Sequence, residues 1–128
     1  MKAIWVFIVI LIIFLSFPQK TISIAVPTLA PLNEIDIKLI IIETALCHEI
    51  NPQKFLKTAK CESSLREKAI GDGGNSMGIF QIHLPSHPSV TKEEAFDPYF
   101  ASEWSAKKFK KNPNIWTCYK LLYGKQII

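Results

Sequence analysis

Nothing in this chain limits what it can fold into more than its first seventeen residues, MKAIWVFIVILIIFLSF. Lys2 precedes an apolar run of about fifteen residues from Ala3 to Phe17. That is the layout of a secretory signal, and slightly short for a membrane span. The small-x-small tripeptide Ser23-Ile24-Ala25 follows, so residues 1–25 are expected to be a signal peptide cleaved after Ala25, with an uncleaved N-terminal anchor as the alternative. Either way the remainder lies outside the cytoplasm, secreted or in the cell envelope. About a hundred residues are left, enough for one domain with a thin core that a cross-link would help.

In an oxidising compartment the three cysteines, Cys47, Cys61 and Cys118, read as one disulfide with one thiol left over, and three pairings are open. A metal site is the rival reading, since His48, His83 and His87 supply nitrogen ligands and His83 and His87 are four apart. Pro85 and Pro88 make that stretch a poor helix, however, and no C-x-x-C pair is present. Loop or surface histidines are therefore expected, with no metal and no organic cofactor. Fifteen basic and eleven acidic residues give +4; losing residues 1–25 removes Lys2, Lys20 and no acid, leaving +2. With no arginine-rich stripe, that balance argues against nucleic acid and supports only a weak attraction to an anionic envelope.

After the signal, residues 26–33 read as an extended linker, because Pro27 and Pro31 disfavour helix. Asn33 is placed to cap a helix over 34–50. Its stripe is Ile35, Leu39, Ile42, Leu46 and Ile50, widened by Ile37, Ile40 and Ile41. Asn51 as cap and Pro52 at the first position open a second helix reaching about Arg66. At about 100° per residue, Glu62 shares a side with Phe55 and Ala59, while Cys61 turns toward Leu65. Gly71, Gly73 and Gly74 allow positive φ in the irregular stretch that follows, and MGIFQIH reads equally as a short strand or a buried turn. Thr91 to Glu94 has capping-box spacing, and Asp97-Pro98 starts a helix lined inside by Phe100, Ala101 and Trp104. Asn112 to Asn114 ends it, and IWTCYKLLYG brings Trp116 and Cys118 back to the body. The expectation is a small, mainly helical (α+β) single domain over 34–128, with a glycine-rich loop or short hairpin forming a groove.

Glu62 carries the chemistry. A carboxylate against apolar side chains keeps its proton to higher pH, because burial disfavours the charged form. Such a group serves as a general acid near neutral pH, which glycosidic cleavage requires because an alcohol leaves poorly until its oxygen is protonated. Gln81 can donate to and accept from the amides and hydroxyls of amino sugars. Against this, a helix glutamate is most often simply solvated or salt-bridged.

The wording of two segments goes further. Glu62-Ser63 at a helix end, followed after a short loop by Gly78-Ile79-Phe80-Gln81-Ile82, resembles the paired signature of the lysozyme-like superfamily, and within it the lytic transglycosylases. The resemblance extends through FDPYFASEWSAKKF and covers roughly Phe55 to Phe109. It implies that Glu62 is general acid and then base, and that Ser76, Gly78, Phe80 and Gln81 hold the glycan strand. A cysteine directly before that glutamate, with Trp-x-Cys near the C-terminus, is similar to the resuscitation-promoting factor branch. There the two cysteines are bonded, which implies Cys61–Cys118, with Cys47–Cys61 as the alternative. The chain departs from the family in having Ala101-Ser102 where an Asn-Ile pair is usual, and in lacking the Ala-Tyr-Asn-x-Gly motif.

The implied function is a monomeric peptidoglycan lytic transglycosylase. It would cut the β-1,4 bond between N-acetylmuramyl and N-acetylglucosaminyl residues, meeting membrane only through an uncleaved N-terminal segment. Two alternatives stand beside it. A hydrolytic muramidase would need a second carboxylate, for which Asp72, ten positions beyond Glu62, is the only candidate near in sequence, although an aspartate in GDGG commonly just supports a turn. A noncatalytic glycan-binding envelope module is the other.

Overall fold

The computed structural model of the chain describes residues 31–124. The signal or anchor segment and most of the linker lie outside the described residues. Four of the five described helices start where a nearby side chain satisfies their free amides. In α1 (Glu34–Cys47) Asn33 Oδ1 accepts from the amides of Ile35 and Asp36, at 2.8 and 3.1 Å, and Asp36 returns a bond to the Asn33 amide. In α2 (Pro52–Ser63) Asn51 accepts from Lys54 N at 3.0 Å. Thr91 and Glu94 form a reciprocal capping box on α3 (Lys92–Phe96), and Asp97 caps α4 (Pro98–Lys111). The fifth, α5 (Thr117–Tyr123), has no side-chain cap from its own segment.

Both early helices are shorter than expected, and α1 turns a different face inward. Ile37, Ile40, Ile41 and Ala45 are buried, whereas the predicted stripe points outward, with Ile35 66%, Leu39 51% and Leu46 62% exposed. Apolar residues surround almost the whole of α1, so three- and four-residue steps fit more than one face and periodicity selects none. The choice falls to the neighbours: α1 packs on α2 and α4, and α4 offers a face with the small residues Ala101, Ser102, Ser105 and Ala106. The α2 helix stops at Ser63 because Ser64 and Leu65 adopt left-handed backbone, φ 55° and 61°. Its inner side meets the aromatic centre of the core. Phe55 stacks on Phe80 at 4.4 Å between centroids and meets Phe109 edge-on at 5.1 Å, and Phe109 adjoins Trp116 at 5.7 Å.

The glycine-rich stretch forms a small antiparallel sheet in the order β1 (Ile70–Gly71), β2 (Ser76–Met77), β3 (Ile82–His83). Ile70 pairs with Met77, Gly71 and His83 flank Ser76, and Met77 also pairs with Ile82. MGIFQIH is thus both strand and turn: its ends pair, while Gly78 to Gln81 reverse the chain between them. Asp72–Gly74 is a 3-10 turn joining β1 to β2. The whole is a small, mainly helical α+β domain.

Cys61 and Cys118 form a disulfide, with Cα atoms 5.8 Å apart across 57 positions, and Cys47 is a free, exposed thiol. The Cys47–Cys61 alternative is thereby excluded. Closing a loop of that length stabilises by about 4 kcal/mol in the chain-entropy model, a large share for so small a core. The bond also points to an oxidising, extracytoplasmic compartment.

Gly78 is the tightest backbone position in the sheet. Its φ is +75°, and a Cβ there would lie 1.8 Å from the Ala95 carbonyl oxygen of α3. Gly78→Ala is expected to destabilise by about 2 kcal/mol or more, from strained backbone added to the clash. Urea unfolding checks this, and a midpoint within error of wild type would refute the packing account.

Candidate active site

The end of α2 places Glu62 by a one-residue rotation from its neighbours. Phe55 and Ala59 on the same side are fully buried, while Glu62, where the helix runs out, is only half-buried and borders a cavity of about 210 Å³. Glu62 Oε1 accepts a hydrogen bond of 3.0 Å from the backbone amide of Cys118. That amide belongs to the first turn of α5, so a side chain from another helix fills the role that α5 lacks in its own sequence.

Burial pushes the Glu62 carboxyl above the usual carboxylate range; the Cys118 amide, which favours the charged form, opposes this, and the nearby charge of Asp72 adds to the rise. Asp72 is exposed at the start of the 3-10 turn and lines the same cavity. The buried Ser76 hydroxyl donates to Asp72 Oδ2, fixing that carboxylate across the turn. Both Asp72 and Gln81 hold left-handed backbone, φ 49° at each, a conformation uncommon for residues with a side chain. Gln81 Nε2 donates to the Gly78 carbonyl at 2.9 Å. Its Oε1 occupies the space beside Gly71, where a Cβ would come within 2.2 Å of it, so Gly71 is what lets the glutamine lie down at the cavity edge.

Of the residues expected to serve the site, the structure therefore brings Glu62, Asp72, Ser76 and Gln81 around one cavity. Two others fall elsewhere. Phe80, expected as a groove wall, is fully buried between Phe55 and Trp116, its carbonyl accepting from Trp116 Nε1 at 3.1 Å. Gly78, expected to hold the strand, is buried beneath α3 and shapes the turn. In a segment that alternates between pairing and reversing, sequence alone does not say which residues face outward.

Part of the wall has no counterpart among the residues expected to serve the site. His83, His87 and Trp104 line the cavity, as do Ile115 and Thr117 at the approach to α5. Pro85 and Pro88 do keep this stretch from being an α-helix: Pro85 sits in a 3-10 turn, Leu84–Ser86, in which His87 N donates to the Leu84 carbonyl at 2.9 Å, and both imidazoles nonetheless line one cavity. Spacing had flagged the pair, but only as metal ligands. Ser63 was also unassigned: its hydroxyl donates to the Ile79 carbonyl at 2.8 Å and joins the end of α2 to the sheet turn.

The fold and cavity define a small, disulfide-bonded α+β domain in which a half-buried carboxyl and a second carboxylate line one cavity. Comparison with protein-family models, curated proteins and solved structures returns no match to this chain.

A carboxyl whose folded value is raised binds its proton more tightly in the folded than in the unfolded state. Its effect on stability is therefore absent at low pH, and becomes a loss as pH climbs from the unfolded value through the raised one. Glu62→Gln keeps an oxygen for the Cys118 amide but never ionises. The variant should melt higher relative to wild type at about pH 7 than at about pH 4, since only at the higher pH is the native carboxylate charged. An identical difference at both pH values would contradict the raised carboxyl.

Proposed function

We propose that this protein is a cell-wall glycan-cleaving enzyme of lysozyme-like fold, acting on the β-1,4 bond between N-acetylmuramyl and N-acetylglucosaminyl residues of peptidoglycan. The observation that carries the reading is Glu62: a half-buried carboxyl with a raised proton affinity, open to a cavity and held by a backbone amide. The motif resemblance around Glu62-Ser63 and Gly78–Ile82 supplies the substrate class. A leaving sugar oxygen is protonated by Glu62 as its bond to the muramyl C1 breaks, leaving positive charge spread over C1 and the ring oxygen. In the transglycosylase course the muramyl C6 hydroxyl then attacks C1 and returns its proton to Glu62, closing a 1,6-anhydro ring.

Asp72 favours a second course. It borders the same cavity and its charge bears on Glu62, and Ser76 fixes one of its oxygens. A water between Asp72 and C1 could be deprotonated by that carboxylate as it attacks, giving a reducing end with inversion. A bare turn role for Asp72 does not require it to share the cavity.

The two courses differ in product mass. Purified cell wall should be digested with the full chain and the soluble products weighed: anhydro-muramyl ends identify the transglycosylase, and reducing ends the hydrolase. Glu62→Gln should lower release by about 10²- to 10⁴-fold, the usual weight of a positioned general acid. Asp72→Asn should do the same only if reducing ends are formed. Equal release by wild type and Glu62→Gln would end the enzyme reading and leave the glycan-binding module.

A further inference from the structure

The outward stripe of α1 has a pattern that its own fold does not use. Ile35, Leu39 and Leu46 are exposed and Ile42 is half-buried. At about 100° per residue the four lie within about 60° of one another, nearly opposite the buried Ile37, Ile40, Ile41 and Ala45. Their steps of four, three and four residues repeat every seven, Ile35 with Ile42 and Leu39 with Leu46. That is the seam of a short coiled coil, not a scatter of surface apolar residues. Ile42 also borders a cavity of about 470 Å³ with Pro52 and Leu56 of α2, so the apolar surface continues off the helix. Charge flanks the seam. Lys38 and Glu43 lie about 70° to either side of its centre. Lys38 pairs with Glu34 one turn back, whereas Glu43 is exposed and has no ion pair among the described residues. Five positions apart, Lys38 and Glu43 are about 140° apart and cannot pair within one helix. When two parallel helices pack seam to seam, opposite flanks meet, and a residue on one flank reaches the residue five positions on in its neighbour. Lys38 of each copy then faces Glu43 of the other. An antiparallel pair sets like flanks together, with Asp36 and Glu43 of one copy against the same two acids of the other.

We infer that α1 binds a second copy of this chain, the two helices lying parallel along the Ile35–Leu39–Ile42–Leu46 seam with Lys38 of each copy against Glu43 of the other. The protein is then a dimer, in place of the monomer expected from the sequence, and this holds whether or not the chain cleaves glycan. In a free coiled coil, leucine at the a positions and isoleucine at d favour four strands. Here Ala45, on the Lys38 flank, is fully buried against its own domain, so that flank is taken and α1 has room for one partner. Each α1 is already fixed on its core through Ile37, Ile40 and Ile41, so pairing does not have to order the helix. Four seam residues per copy place the interface at the small, exchanging end of protein contacts. No α1 residue lines the Glu62 cavity, so each copy keeps its own.

The test is sedimentation of the full chain in mild detergent, over a concentration series reaching about 10⁻⁴ M. Wild type should pass from one chain to two. Leu39→Glu, at an exposed position, should keep the wild-type melting temperature and raise the dissociation constant about tenfold or more. Lys38→Glu should weaken the dimer about threefold, and adding Glu43→Lys should restore it, which no contact within one helix can do. With Cys47→Ser removing the free thiol, Leu39→Cys should form a disulfide-linked dimer on mild oxidation, because parallel pairing sets position 39 beside its own counterpart. One chain at every concentration, more than two chains, or a dimer that Leu39→Glu leaves intact overturns the inference. A dimer whose charge swap is not restored, or that gives no cross-link at position 39, overturns the parallel pairing.

Discussion

Three consecutive residues at the end of α2 each hold a different part of the chain, and the site exists only where those three holds meet. Cys61 is bonded to Cys118, Glu62 accepts from the Cys118 amide, and Ser63 donates to the Ile79 carbonyl. The side chains diverge because helical residues step by about 100°, so one turn can reach α5, a cavity and the sheet at once. The disulfide brings the first turn of α5 to Glu62, and the short hydrogen-bonded contact then gives α5 the acceptor its own sequence lacks. Without the cross-link, the seven-residue α5 would be left to the packing of Tyr119 on Phe109 and to the Glu62 bond, so the amide that holds the carboxylate and the Thr117 side of the cavity would be less firmly placed.

The sheet part of the lining is held by backbone conformations that are costly in isolation. Asp72 and Gln81 sit in left-handed backbone, and Gly78 in a conformation reserved for glycine with α3 pressed against it. Such positions persist when their surroundings over-determine them, and they gather at functional sites. Here the surroundings are visible: Ser76 holds Asp72, the Gly78 carbonyl holds Gln81, and β2 pairs on both edges. The strain aims two polar side chains into one cavity from a sheet only two residues deep per strand. Phe80, in the same turn, faces the other way into the aromatic core, so one short segment joins the core to the site.

Much of the helical frame was readable from the chain. Asn33, Asn51, Thr91 and Asp97 announce four helix starts because an N-cap is a local interaction among residues three apart. Glu62 was also readable, since its angular position follows from helix geometry alone. The inward face of α1 was not, because Ile35, Leu39 and Leu46 compete on equal terms with Ile37, Ile40 and Ile41 until α2 and α4 select between them. Nor was the wall of His83, His87 and Trp104, which come from a loop and a helix that meet only when folded.

The sequence by itself determined where most helices begin, which glutamate stands out of place and that its cysteines suit an exported chain, for these depend on residues near one another or on residue type. The resemblance implied the Cys61–Cys118 bond, and the structure forms it; tertiary structure alone decided that Asp72 lines one cavity with Glu62 and that Phe80 belongs to the core. Each of those depends on segments distant along the chain coming to contact distance, and no local propensity encodes a distance of that kind.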